Sequence, residues 1–278
     1  MILFGHYLSF LGLFSYICIQ KITHLLMIIT LLQQDIAWGD PLANQQEAEK
    51  AITSAPKSDL YVLPEMWSTG FATEPKGIAE SDRASLSFMK KMANQMDAAI
   101  AGSIATEENG KYYNRFYFVK PGDEEPVFYD KHHLFTYSGE HHHYTAGEER
   151  VIVEWRGVRF LLQVCYDLRF PVFSRNAAEG PEAYDVALYV ASWPMSRRAP
   201  WDTLLRARAI ENQCYVCGVD RIGDDKSAHY NGGTAIIDAY GRTVAACPDD
   251  EVSAISAEID IEKLTSFRKK FPVLGDKD

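Results

Sequence analysis

The chain has 278 residues, 47% hydrophobic and 24% charged, which is the composition of a globular protein with enough chain to bury a core without covalent staples. Its net charge of −10 argues against a nucleic-acid binder and against an anionic membrane surface as partner. The five cysteines, Cys18, Cys165, Cys214, Cys217 and Cys247, are odd in number and scattered, so a reducing cytoplasm fits better than a secreted disulfide framework.

Met1 to Ile19 carries no formally charged residue. It lacks a basic n-region and an A-x-A-like cleavage site, and His6, Ser9 and Ser15 interrupt it at the short limit for a bilayer span. Residues 1–26 therefore read as a mis-called upstream extension, with a targeting or anchoring segment as the alternative. From Met27 the pattern is that of one domain, 27–278. Strands are expected at 27–32, 60–63, 98–104, 112–119 and 127–129, with helices at 45–54 and 81–96. A hairpin at 151–155 and 158–164 turns on Arg156-Gly157. A short helix at 173–179, a strand at 186–191 and a helix at 201–212 follow. Strands at 215–219, 234–238, 243–246 and 254–259 close the set. Cys214 and Cys217 form a C-x-x-C, but they lie in the apolar run Cys214-Tyr215-Val216-Cys217-Gly218-Val219 and read as core packing.

Alternating strands and helices imply a layered α/β protein. Several links between strands are too short for a helix, so hairpins and crossovers mix. No G-x-G-x-x-G follows the first strand, and no P-loop is present.

Three apolar strands run into chemistry-bearing residues. Arg159-Phe160-Leu161-Leu162-Gln163-Val164 leads into Cys165, and a polar turn, Tyr166-Asp167-Leu168-Arg169, follows. Leu60-Tyr61-Val62-Leu63-Pro64 ends at Glu65. Val127-Phe128-Tyr129-Asp130 ends at Lys131. Ligands of α/β proteins gather at strand C-termini. A thiol, a carboxylate and an amine there are the parts needed to hydrolyse an amide through a thioester.

These segments resemble the nitrilase (carbon–nitrogen hydrolase) superfamily. Tyr129-Asp130-Lys131-His132-His133-Leu134-Phe135, with Gly139-Glu140 and Tyr144-Thr145-Ala146-Gly147, is similar to its lysine region. Cys165 to Pro171 is similar to its nucleophile region, and Arg206 to Asn212 to its later helix. Three motifs in the right order make the match specific, and the cysteine segment most resembles the omega-amidase branch. The resemblance implies a four-layer α-β-β-α sandwich and a homodimer. It makes Cys165 the nucleophile, a thiol whose ordinary pKa near 8.5 requires a base or a positive neighbour. Glu65 becomes the general base and acid. Lys131, with the backbone N–H of Tyr166, stabilises the oxyanion, and Glu140 orients the lysine.

Arg169 is the first candidate to grip a substrate carboxylate, with Trp193, Arg197 and Arg198 as alternatives. Trp67 and Phe135 are candidates for pocket wall or core. His132, His133, His141, His142 and His143 invite a metal reading, but adjacent histidines rarely point one way and no H-E-x-x-H is present. No metal or cofactor is expected, and the partner is a small molecule. The leading substrate is 2-oxoglutaramate, cleaved to 2-oxoglutarate and ammonia. The alternatives are a nitrile, an N-carbamoyl amino acid or a deaminated peptide on the same machinery, an inactive scaffold on the same fold, and a metal phosphoesterase on a similar sandwich.

Overall fold

The computed structural model describes residues 26–276. Residues 1–25 of the apolar extension, with Cys18, lie outside the described residues, as do 277–278. Fourteen strands are present among the described residues: β1 (Leu26–Gln33), β2 (Leu60–Val62), β3 (Ala99–Glu108), β4 (Lys111–Val119), β5 (Val127–Asp130), β6 (Ile152–Trp155), β7 (Val158–Val164), β8 (Val186–Ala191), β9 (Tyr215–Asp220), β10 (Ile222–Asp224), β11 (His229–Asn231), β12 (Ala235–Ile237), β13 (Thr243–Ala246) and β14 (Ser253–Asp260). The helices are α1 (Pro41–Ser54), α2 (Ala84–Met96), α3 (Arg198–Glu211) and α4 (Ile261–Lys270).

Two six-stranded sheets share one plan. The first runs β14-β1-β2-β3-β4-β5 and the second β13-β12-β9-β8-β7-β6, with β10 and β11 forming a separate hairpin. Strands β1, β2 and β3 are mutually parallel, as are β7, β8 and β9, while their flanking neighbours pair antiparallel. Tight links make the antiparallel pairs. Asn109-Gly110 joins β3 to β4 and Arg156-Gly157 joins β6 to β7, each with both residues at positive φ, the turn whose twist matches a hairpin.

Period-2 alternation sorts side chains between layers. Met27, Ile29 and Leu31 of β1 and Phe116 and Phe118 of β4 enter a core shared with Phe160, Leu162 and Leu188 of the other sheet. The rings of Phe118 and Phe160 meet across the sheets at 5.4 Å between centroids. Tyr61, Leu63, Tyr117 and Val119 face the other way, under Ala48 and Ile52 of α1 and Met89 and Met92 of α2. Helix α3 covers the outside of the second sheet so closely that a Cβ on Gly218 of β9 would fall 2.5 Å from Leu205. The layers are thus α-β-β-α, as expected.

Local expectations differ at several points, the β10–β11 hairpin among them. No helix forms at 173–179; Asn176 instead bonds Tyr184 and Asn212 through side chain and backbone, holding that stretch as a loop. Helix α1 starts at Pro41, capped by Asp40, whose side chain accepts the Ala43 N–H. Helix α4 was not expected, because only Ile261 and Leu264 of its ten residues are buried. No helix among the described residues is long and apolar enough to cross a membrane.

Candidate active site

The C-terminal ends of the parallel strands of both sheets converge. The chain leaves β2 through Leu63 and Pro64 and turns at Met66, whose φ is +44° and whose N–H is held by Ser103 Oγ at 2.9 Å. That turn delivers Glu65. Lys131 follows β5, with its N–H on the carbonyl of Asn114 at 3.0 Å. Glu140 arrives on the loop beyond, at a one-turn 3-10 segment, Glu140–His142. Glu65, Lys131 and Glu140 are fully buried.

The ammonium of Lys131 lies 2.9 Å from Glu65 Oε1 and 3.2 and 3.0 Å from the two oxygens of Glu140. Glu65 Oε1 also accepts from Asn114 Nδ2 at 2.7 Å, and its Oε2 accepts the Ser192 N–H at 2.8 Å. Glu140 Oε2 accepts the Phe135 N–H at 2.6 Å. Burial opposes the charge on Lys131, but Glu140 and Glu65 outweigh it and hold its pKa well above the ordinary value. Burial pushes Glu140 up, with Lys131 offsetting part of that. Two carboxylates therefore share one firmly protonated amine.

Cys165 opens a short 3-10 turn, Cys165–Arg169, directly after β7. Its φ of +46° is uncommon for a residue with a Cβ and is held by its surroundings. Asp167 supplies the hold. Its carboxylate accepts the Val164 N–H at 2.9 Å, the Tyr129 hydroxyl at 2.8 Å, the His133 N–H at 3.0 Å and sits 2.8 Å from His133 Nδ1. The Cys165 turn is thereby tied to the segment that carries Lys131. Burial first, and then the facing Glu65, raise the Cys165 pKa well above that of a free thiol. Such a thiol stays protonated until a base takes its proton. The first N–H groups of a helical turn have no partner within it, and Tyr166 lies there.

A cavity of about 900 Å³ opens beside this cluster and is walled by Trp38, Phe71, Phe135, Ser192, Arg197 and Tyr230, among others. Its inner end meets the cluster through Ser192, which bonds Glu65, and Phe71, whose ring centre is 5.3 Å from Lys131 Nζ. Arg169 stacks over the Trp193 ring at 4.8 Å. Trp193 is buried and donates its indole N–H to the Arg197 carbonyl at 2.7 Å. Neither Arg169 nor Trp193 forms the cavity wall, and the same is true of Cys165. Arg198 is engaged elsewhere, by Asp202 and Asp249. Trp67 packs against Phe88 under the helices, away from the cavity. His132 bonds the Gly147 carbonyl, and His141 lies against His142 with tilted rings in an exposed position.

Two residues of the cluster were not anticipated. Asn114 touches both carboxylates; its signal was a lone amide inside the apolar strand 112–119. Asp220 ends β9 and accepts the N–H groups of Trp193 and Arg221 at 2.8 and 2.9 Å. It follows Val216-Cys217-Gly218-Val219 and so carried the same strand-end signal as Glu65.

A family model described as Carbon-nitrogen hydrolase matches residues 28–269. The chain is 45% identical over 251 residues to the omega-amidase YafV of Escherichia coli K12, covering 90% of this chain and 96% of that one. It is 36% identical over 252 residues to the 2-oxoglutaramate amidase of Bacillus subtilis, covering 89% and 96%. Among solved structures, the CN-hydrolase superfamily protein XC1258 of Xanthomonas campestris, which carries an arsenic adduct in its active site, superposes with a TM-score of 0.87 at 39% identity, over 91% of this chain and 97% of that one. Motif order, layer plan and these likenesses together place the chain in the carbon–nitrogen hydrolase family.

Proposed function

We propose that the protein is a cysteine-dependent omega-amidase that hydrolyses the terminal amide of a small carboxylate-bearing substrate, 2-oxoglutaramate first, to 2-oxoglutarate and ammonia. One observation carries this reading: two carboxylates and a lysine are buried together, the Cys165 thiol faces Glu65, and a cavity reaches this cluster through Ser192 and Phe71. The likeness to an omega-amidase and to a 2-oxoglutaramate amidase supports the acyl group.

The chemistry follows from the geometry. Glu65 takes the Cys165 proton, and the thiolate attacks the amide carbon. The carbonyl oxygen becomes an oxyanion and accepts from Lys131 and the Tyr166 N–H. An ammonium has three N–H donors and Lys131 faces three carboxylate oxygens, two of them on Glu140, so it serves the oxyanion by exchanging one of its two Glu140 contacts. Such preorganised donors are worth about 100- to 1,000-fold each. The intermediate collapses, the C–N bond breaks, and Glu65 returns the proton to the departing ammonia. Water then gives its proton to Glu65 and attacks the thioester. The acid leaves, and the thiol is restored. Glu140 keeps Lys131 in place throughout. Arg169, held against Trp193 one short turn from the nucleophile, receives the substrate carboxylate, with Arg197 as the neighbouring cation on the cavity wall.

We read residues 27–278 as one catalytic domain acting in the cytoplasm as a homodimer. Cys165, Cys214, Cys217 and Cys247 are free and buried, in keeping with a reducing compartment. Exposed Ile210, Tyr240 and Phe271 support a partner copy. They form a patch, with Tyr240 and Phe271 both against Phe267 and Ile210 against Gly241. The test of function is an ammonia-release screen over small ω-amides, nitriles and N-carbamoyl amino acids. The reading requires 2-oxoglutaramate to lead. A nitrile or carbamoyl amino acid turned over faster would replace the substrate, and ammonia release by Cys165→Ala would remove the mechanism.

A further inference from the structure

Asn114 lies in the middle of β4, opposite Ala105 of β3, and is fully buried. Its Nδ2 donates to Glu65 Oε1 at 2.7 Å and to Glu140 Oε1 at 3.2 Å. One amide nitrogen thus serves two carboxylates, and it has a hydrogen for each. Its main-chain carbonyl accepts the Lys131 N–H at 3.0 Å. A single residue therefore touches all three charged members of the cluster. Its orientation is dictated. Turned over, Oδ1 would press against two carboxylate oxygens. As it stands, Oδ1 is buried with no partner among the described residues.

The reason lies in the charge count. Glu65 and Glu140 share one ammonium, so with both ionised the cluster carries one excess negative charge. Burial amplifies the repulsion. Lys131 faces the pair from the end of β5, Cys165 from the turn after β7, Asp220 from the end of β9, and Tyr144 from the loop past Glu140. Asp220 adds no compensating charge. A second cation at position 114 would compete with Lys131 for both carboxylates. An apolar residue would take one donor from Glu65 Oε1 and one from Glu140 Oε1. A neutral double donor favours the ionised carboxylates without adding charge.

We propose that Asn114 is a positioning residue that sets the proton affinity of the Glu65–Glu140 pair and fixes the rotation of Glu65; the proposal rests on Glu65 being the base for Cys165. Hydrogen bonds to the charged form of an acid lower its pKa. Removing them must therefore move the acid limb of the reaction to higher pH.

The test uses full-length Asn114→Asp, which is nearly isosteric, and Asn114→Leu, with near-UV circular dichroism to confirm packing. The readouts are the rate of Cys165 alkylation by iodoacetamide and kcat/KM for ammonia release, each as a function of pH. Both variants are expected to shift the acid limb upward by about one pH unit or more, a tenfold loss at fixed pH on that limb, with rates approaching the wild-type plateau in alkali. Asn114→Asp, which adds a negative charge, shifts furthest. A lowered plateau with an unmoved limb would mean that Asn114 is only scaffold, and the proposal falls. An unchanged profile also overturns it. If the wild-type alkylation profile has no acid limb that Glu65→Gln abolishes, Glu65 is not the base, and both readings fall.

Discussion

Glu65→Gln tests the site and its packing at once. The Glu65 carboxylate accepts from three N–H groups, Lys131 and Asn114 on Oε1 and the Ser192 N–H on Oε2, and the Cys165 thiol faces it as well. Glutamine offers one oxygen and one NH₂. With the oxygen at the Oε1 position, the amide nitrogen faces the Ser192 N–H. With the oxygen at Oε2, the nitrogen faces both Lys131 and Asn114. The first arrangement has one donor–donor conflict and the second has two, so the first wins and the buried Ser192 N–H loses its acceptor. An orphaned buried group costs about 1–3 kcal/mol, and about 2 kcal/mol lowers Tm by roughly 4–8 °C in a domain of this size. Activity falls much further, because an amide cannot accept the thiol proton, and general-base catalysis is typically worth about 100- to 10,000-fold. Melting followed by near-UV circular dichroism and ammonia release from 2-oxoglutaramate measure the two effects separately. Retention of more than about a tenth of wild-type kcat, a loss under roughly 1.4 kcal/mol, would refute Glu65 as the base. An unchanged Tm would refute the hydrogen-bond accounting.

Cys165→Ala is expected to abolish turnover and leave the fold intact, and mass spectrometry of wild type under turnover is expected to show an acyl adduct on Cys165; activity in the variant or an adduct elsewhere would sink the nucleophile assignment. Arg169→Ala is expected to lower kcat/KM for 2-oxoglutaramate by about 10- to 150-fold, the worth of a lost charge-assisted hydrogen bond of about 1.5–3 kcal/mol, and to spare an uncharged amide of similar length. If Arg197→Ala shows that selectivity instead, the carboxylate belongs on the cavity wall. Asp220→Asn is expected to stabilise increasingly as pH rises. Burial holds the Asp220 pKa well above the ordinary value, and a raised folded-state pKa costs nothing below the unfolded value of about 3.9 and progressively more above it. Melts at a series of pH values from acid to neutral check this, and a Tm difference independent of pH would contradict it.

Much of the fold was legible because layering depends on local pattern. The period-2 alternation in β1 and β4 marks two buried faces, and Arg156-Gly157 marks a hairpin without reference to the rest of the chain. What escaped depends on tertiary contact. The stretch 173–179 has helical composition, yet Asn176 meets Tyr184 and Asn212 and is held as a loop. Helix α4 reads as a charged surface segment, because its apolar stripe is only Ile261 and Leu264. The pairing of β1 with β14, with Leu26 opposite Asp260, joins strands far apart in sequence whose patterns match several partners equally well.

The site divides in the same way. Glu65, Lys131 and Cys165 stood out because an ionisable group straight after a buried strand is costly to place by chance. Asp220 satisfied the same condition. The motif resemblance, which supplied Glu140, had no place for it. Asn114 carries no charge and sits within a strand, so the sequence offered only a polar interruption of an apolar run. An amide there can satisfy a neighbouring strand or reach a site, and spacing does not distinguish the two. The distinction lies in its partners. Two carboxylate oxygens at 2.7 and 3.2 Å fix one end of the amide, while the other end has no partner among the described residues. A group added merely to fill the core would more easily have been apolar, since an apolar side chain of similar volume leaves no acceptor unpaired. An amide makes physical sense where two carboxylates need donors that bring no charge. The charged residues of this cluster can be found by scanning strand ends, whereas the neutral residue that balances them becomes visible only when every hydrogen bond of Glu65 is counted.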